Sequence, residues 1–313
     1  MKRHDHTSQS KRARSRNDIP RSQYQGAPRQ ATPAHYAKKQ DRPIRSARTF
    51  DRADTSRTRS FPVKLFTIVI GMLILLILIT VGIQSCSEKT YDWNNLRTSD
   101  GRITYYENGA LASLTGIDVS SHQETIDWNQ VAADGIDFAI LRCGRRGYSE
   151  GGIYPDETFQ ANLQNATQAG LPVGVYFFSQ AINEQEAREE ADFVLNSIKG
   201  SNIRGPIAYD FEIPSDTESR AKDLSAEQAT KNAEAFCSRI KSAGYTPVVY
   251  GNQHDLERYN LHSLNYPIWY AEYNSRPTDD VAPAIWQYTA TGQVAGISTA
   301  VDINILLDTS LIH

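Results

Sequence analysis

Several patterns are scarce or missing in this chain of 313 residues, and each absence removes a class of chemistry. Three cysteines, Cys86, Cys143 and Cys237, are too few for a disulfide framework and are spaced for no metal site. Cys143 and Cys237 therefore read as small buried thiols. The seven histidines are scattered with no H-E-x-x-H, so metal catalysis finds no support, and His122 alone lies near the acids considered below. No nucleophile elbow is read, which leaves a Ser-His-Asp triad without a seat. No glycine-rich phosphate loop follows the first strand, and no cofactor is expected.

Charge is absent from one long stretch. Leu65 to Ile83 carries no ionisable residue, and its only polar side chains are Thr67 and Thr80. At ~1.5 Å per residue such a helix is about 28 Å long, close to the thickness of a bilayer core. A buried soluble helix would keep one polar face, and this segment has none, so a transmembrane helix over residues 63–84 is expected. A cleaved signal peptide fits poorly, with an overlong basic region before the apolar run and no A-x-A site after it. Ser85-Cys86 offers only a poor lipoprotein site.

The two sides of that stretch differ in charge. Residues 1–64 hold 17 Lys/Arg against 5 Asp/Glu, and the remainder holds 16 against 31. The basic side should stay in the cytoplasm, with the rest exported. Residues 1–60 have few large apolar side chains and are expected to be disordered. Their charge suits anionic lipid, and sparse aromatics (Tyr24, Tyr36, Phe50) give nucleic-acid bases no stacking platform. A polar stalk over 85–109 follows, with a hairpin signal in Glu107-Asn108-Gly109.

From residue 110 to 313 short apolar runs recur and predict eight strands: 114–119, 138–142, 172–178, 206–212, 247–250, 268–273, 284–288 and 301–304. Helical patterns lie between the early ones. Asp156 is expected to cap a helix running to Gly170, Asn183 one running to Gly200, and Ser225 with Gln228 one ending at Gly244. The last gaps are too short for crossover helices. Eight strands with helices only in the first part predict a modified β/α barrel, with an open doubly wound sheet as the alternative.

In such barrels, chemistry sits at the C-terminal strand ends. Acids mark three of the predicted ends: Asp118, the pair Asp210 and Glu212, and Asp302. Asp210 and Glu212 are two apart and would share a strand face. Two carboxylates forced together raise the pKa of at least one, which suits a general acid. A solvated acidic loop is the bland alternative, and the apolar approach Ile207-Ala208-Tyr209 argues against it. Trp269, Ala271 and Tyr273 share one predicted face, as do Trp286 and Tyr288. They could stack on sugar rings or simply fill the core.

These residues together resemble glycoside hydrolase family 25, lysozymes of the muramidase type. The resemblance is carried in order by Gly116-Ile117-Asp118-Val119-Ser120 with Gln123, Asp210-Phe211-Glu212, Trp269-x-Ala271-x-Tyr273, Trp286-Gln287-Tyr288 and Asp302-Ile303-Asn304, over about residues 114–308. It implies a (β/α)5(β)3 barrel of TIM type and cleavage of the β-1,4 bond between N-acetylmuramic acid and N-acetylglucosamine in bacterial peptidoglycan. Glu212 would be the acid/base, assisted by Asp210, Asp118 and Asp302, with Tyr176, Trp269, Tyr273 and Gln287 lining the sugar site. A covalent aspartyl route and a substrate-assisted route through the 2-acetamido group both remain open. So do a wall-binding module that does not cut and a glycosidase acting on chitin-like polymers.

Overall fold

The computed structural model describes residues 69–72, 90–214, 218–278 and 281–313. Residues 69–72 of the expected span are helical, while the rest of it, the basic tail and Cys86 lie outside the described residues. Among the described residues no helix is long and apolar enough to cross a membrane.

Three short strands come first, β1 (Leu96–Ser99), β2 (Arg102–Glu107) and β3 (Ala110–Leu111), and form an antiparallel sheet. Asn108 and Gly109 turn the β2–β3 hairpin with φ of 51° and 82°, the left-handed pair that an Asn-Gly turn supplies. A ring of eight strands follows: β4 (Leu114–Val119), β5 (Phe138–Arg146), β7 (Val173–Phe178), β8 (Ile207–Asp210), β9 (Pro247–Asn252), β10 (Ile268–Ala271), β11 (Ile285–Gly292) and β12 (Val301–Leu306). Pairing of β4 with β5 closes the ring, and β6 (Ile153–Pro155) folds back on the end of β5.

The sequence-predicted barrel is therefore present, as are helices in its first part only. They are α1 (Trp128–Ala133), α2 (Phe159–Gln168), α3 (Glu184–Ser197), α4 (Ala226–Ser242) and the single turn α5 (Gln253–Leu256). Asn183 caps α3 as expected, accepting from Glu186 N. Ser225 caps α4, but the capping box is not completed, because the Gln228 amide turns to Asn232. Asp156 does not cap α2; its carboxylate is bound to Arg142, Ser121 and Thr158 instead.

One expectation about direction is corrected. The sequence predicts that β12 presents its C-terminal end at the mouth, like the other strands. It runs antiparallel to both β11 and β4, so its N-terminal end, with Asp302, lies at the mouth. Only residues 293–300 join it to β11, too short a link for the crossover that a parallel strand needs.

Two apolar layers hold the ring together. Phe138, Ile140, Ala208, Val248, Trp269, Ile285 and Leu306 fill its interior. A larger layer lies between the ring and its outer cover. Gly116 is needed inside, since a Cβ there would meet the Phe138 ring at 2.3 Å.

The stretch read as a stalk is also corrected from residue 90 onward. Ile103 and Tyr105 of β2 are buried in the outer layer with Trp286 and Tyr288. Ile103 N donates to the Tyr288 hydroxyl (3.3 Å), the Trp93 and Trp286 rings lie 6.3 Å apart, and Arg102 pairs with Asp134 at 2.6 Å. The small sheet thus covers part of the ring where helices are missing. Ile103→Ala is expected to destabilise the domain by about 2–5 kcal/mol, as for other buried isoleucines. A detached stalk would show no change in chemical denaturation.

Candidate active site

The register around the ring explains which side chains meet. Asp118 pairs with Asp302 across β4 and β12, and Phe178, Asp210, Tyr250 and Trp269 follow one another across β7 to β10. Ala271 stands beside Gln287, which stands beside Asn304. Side chains of one register level that point inward must share the barrel mouth.

They line a cavity of about 260 Å³ made by Asp118, Arg142, Tyr176, Phe178, Asp210, Glu212, Tyr250, Trp269, Tyr273, Gln287 and Asp302. All eight site residues expected from the sequence are among them. A larger groove of about 660 Å³, lined by Glu184, Arg188, Lys231 and Arg239 among others, contains none of them.

Asp118 is the most firmly held acid. The buried amides of Gln287 (2.9 Å) and Asn304 (2.7 Å) both donate to its Oδ2. Each amide is fixed in turn: Asn304 Oδ1 accepts from the Trp269 indole at 2.7 Å, and Gln287 Oε1 accepts from Tyr250 and Tyr273 at 3.1 and 3.0 Å. Burial pushes the Asp118 pKa up to about 6, and the two amide donors oppose that rise. Its ionised form is therefore the better supported one at neutral pH.

Glu212 is not on a strand. β8 ends at Asp210, so the shared strand face inferred for the pair is not what brings them together. Loops position Glu212 instead. Ser179 N donates to Asp210 O at 2.6 Å, and the fully buried Gln180 donates through Nε2 to Glu212 O at 2.7 Å. From α5, Asp255 accepts from the backbone of Ile213. The Asp210 and Glu212 carboxyls hydrogen-bond to each other.

Burial raises the Glu212 pKa to about 7, with Asp255 and Asp118 adding to the rise and the Asp210 hydrogen bond opposing it. Asp210 is pushed up further, first by burial and then by Glu212, and its sealed Oδ1 has no partner. Asp302 is raised to about 8 by burial, Asp118 and Glu212. The cluster therefore retains protons at neutral pH, because carboxylates crowded away from water cannot all ionise.

The aromatic expectations divide. Tyr176 and Trp269 line the cavity with their rings edge to face, 6.1 Å apart, but Trp269 is buried and its N–H is committed to Asn304. Tyr273 lies beyond the end of β10 rather than on it, and is 57% exposed at the rim. Trp286 and Tyr288 belong to the outer layer, not to the site, because alternate residues of β11 face opposite sides of the wall. His122 is exposed and lines no part of the cavity.

Sequence reasoning missed Arg142, Phe178, Tyr250, Asn304, Gln180 and Asp255. Arg142, Tyr250 and Asn304 sit within predicted strands, so inward parity could have marked them. Gln180 lies in a loop and Asp255 on the single turn α5, and neither falls within a predicted element. Gly147-Tyr148-Ser149-Glu150-Gly151 spells G-x-S-x-G, yet it follows β5 as a turn leading to β6. Ser149 is exposed and its hydroxyl donates to Glu150, so no nucleophile elbow is formed. Cys143 and Cys237 are buried and free, and the described residues contain no metal-binding cluster.

With this geometry in view, the match of residues 117–297 to glycosyl hydrolases family 25 is decisive. The chain belongs to that family. It is 28% identical over 194 residues to the autolytic lysozyme of Clostridium acetobutylicum, a stretch covering 61% of this chain and 55% of the relative. Among solved structures it resembles the bacterial lysozyme of Streptomyces coelicolor, with 28% identity, a TM-score of 0.51, and coverage of 61% and 90%. It also resembles the modular autolysin LytC of Streptococcus pneumoniae, solved with a synthetic peptidoglycan ligand, with 25% identity, a TM-score of 0.56, and coverage of 67% and 52%. The chain thus spans about half the length of the clostridial lysozyme and of the pneumococcal autolysin. The barrel of this family 25 member is the part they share.

The raised pKa values have a sign that can be checked. For an acid raised by folding, the stabilising contribution is complete below its unfolded pKa and is lost as pH rises through the folded one. For Asp118, Glu212 and Asp302 that window runs from the ordinary carboxyl values of 3.8 to 4.5 up to about 6, 7 and 8. Asp302→Asn removes the last of these charges. It is expected to melt higher than wild type at pH 8 by about 2–4 °C, the shift that ~1 kcal/mol produces in a domain of this size. The gap should close at pH 4.

Proposed function

We propose that this protein is a muramidase that hydrolyses the β-1,4 bond between N-acetylmuramic acid and N-acetylglucosamine in peptidoglycan. The observation that carries the reading is a half-buried, proton-retaining Glu212 amid three further acids in a family 25 barrel. The relatives named lysozyme and autolysin, one of them solved with a peptidoglycan ligand, support the substrate.

In this reading Glu212 gives its proton to the glycosidic oxygen as the bond to the anomeric carbon breaks and the electron pair leaves with that oxygen. Positive charge developing at the anomeric carbon is met by ionised Asp118, which its two amide donors hold in place. Asp210 shares its proton with Glu212, whose pKa is kept high by burial and by the charges of Asp255 and Asp118, and Asp302 faces the pair from the opposite wall. A water then adds to the sugar and returns a proton to Glu212. Tyr176, Trp269, Tyr273 and Gln287 would shape the sugar pocket.

The apolar stretch 65–83 and the basic residues before it support a single-pass anchor with a cytoplasmic N-terminus and the barrel outside the cell membrane. The basic tail would then lie against anionic lipid. The full chain is expected to remain in the membrane pellet after alkaline extraction. Recovery in the supernatant would count against the anchor.

Release of reducing ends from purified peptidoglycan tests the activity. Glu212→Gln should lower kcat by about 10²–10⁴-fold, the contribution of a positioned general acid. Wild-type activity should fall as pH rises through about 7, where Glu212 loses its proton. Equal turnover by the variant would remove Glu212 from its role, and binding without any release would favour a wall-binding module.

A further inference from the structure

Only one cation lines the acidic cavity among the described residues, Arg142. It stands on β5 beside Tyr176 of β7. One side of its guanidinium is occupied: Nε and Nη2 donate to Asp156 Oδ2 at 2.9 and 2.8 Å, and Nη2 also reaches Ser121 Oγ at 3.1 Å. Nη1 has no partner among the described residues, and it is not sealed from solvent like the unpaired Arg102 Nη1 or Asp210 Oδ1. Its donors are thus available to the cavity.

Their availability is unexpected beside four carboxyl groups. Arg142 forms no ion pair with Asp118, Asp210, Glu212 or Asp302; its partner is Asp156, which lies outside the cavity lining. Its charge is felt instead by the hydroxyls of Tyr176 and Tyr148. The cavity is therefore polarised, with acids on several walls and an unspent donor on the β5 side. A neutral sugar would meet that donor only with a hydroxyl or acetamide oxygen, whereas an anionic sugar entering an acidic cavity gains a charge-assisted hydrogen bond from it.

We propose that Arg142 binds a carboxylate carried by the muramic residue, and that this group is the free lactyl carboxylate of a glycan already stripped of its stem peptide. The proposal rests on the muramidase reading of the same site. At about 260 Å³ the cavity is smaller than the usual range for drug-sized ligands, so a group reaching Arg142 must lie close to the ring. The lactyl group is attached directly to the sugar, and the stem-peptide carboxylates are many bonds away. In the intact wall the lactyl carboxyl is a neutral amide. The reaction that supplies the preferred substrate is then hydrolysis of that amide, in which water cleaves the bond to yield a sugar-borne carboxylate and a free peptide amine.

The test uses the full chain in detergent with three substrates: intact peptidoglycan, peptidoglycan stripped by an amidase, and N-acetylglucosamine oligomers. Wild type should show about ten- to hundredfold higher kcat/KM on stripped than on intact glycan, the effect of one charge-assisted hydrogen bond, and added salt should narrow the gap. Arg142→Gln should abolish the preference, and Arg142→Lys should keep part of it together with the Asp156 pair. Equal wild-type kcat/KM on both glycans overturns the proposal. A preference for intact glycan that Arg142→Gln removes also overturns it, by assigning the carboxylate to the stem peptide. Should Arg142→Gln fail to fold, calorimetry on Glu212→Gln decides: the muramic disaccharide with a free lactyl carboxylate must bind more tightly than its lactyl amide. That binding arm needs no turnover, so absent cleavage would count against the muramidase reading alone.

Discussion

Four carboxyl groups in one poorly hydrated cavity cannot all be ionised, and the rest of this site follows from that constraint. Burial raises all four pKa values, and repulsion from neighbouring carboxylates raises those of Asp210, Glu212 and Asp302 further. What separates their roles is the hydrogen bonding that each receives. Asp118 has two amide donors and is the least raised of those three whose values are resolved. Asp210 has a carboxyl neighbour and a sealed oxygen, so it holds a proton. One charged and one protonated carboxyl on either side of a bond is the arrangement that glycoside hydrolysis needs.

The cost of that arrangement explains the rigidity of what surrounds it. The Asp118 carboxylate is tied through Asn304 to the Trp269 indole and through Gln287 to two tyrosine hydroxyls. That network links β4, β9, β10, β11 and β12, so the acid's position is fixed by ring closure itself. Glu212 lacks this security because its strand stops at Asp210. Its place depends on Gln180 holding its carbonyl and on Asp255 holding the next amide. Gln180 is itself anchored by Ser219 beyond the site loop. A loop residue carrying the acid is common in β/α barrels, where rigid strands support variable loops.

Ring closure also sets a problem on the outer surface. Among the described residues five helices cover the first part of the barrel, and the last strands have none. Trp286 and Tyr288 would then face water, and the small sheet of residues 96–111 packs over them. Its strands lie before the family match at 117–297, yet Ile103 and Tyr105 are part of the same apolar layer. The folded unit around the barrel is therefore larger than the family segment.

Much of this was legible in the sequence, for identifiable reasons. Strand positions follow from short apolar runs bounded by turn residues, and that local signal survives in all eight strands of the ring. The acids Asp118, Asp210, Glu212 and Asp302 were legible because charge at the end of an apolar run is locally anomalous. Other features depended on contacts between distant segments. The reversed direction of β12, the outward aim of Trp286, the packing of the expected stalk and the loop bonds that hold Glu212 each join residues far apart in the chain. Sequence alone determined which segments become strands and which acids reach the mouth, because both depend on near neighbours. Only the tertiary structure decided which acid is clamped, which keeps a proton and where Arg142 leaves a donor free, since burial and hydrogen bonding are properties of the assembled ring.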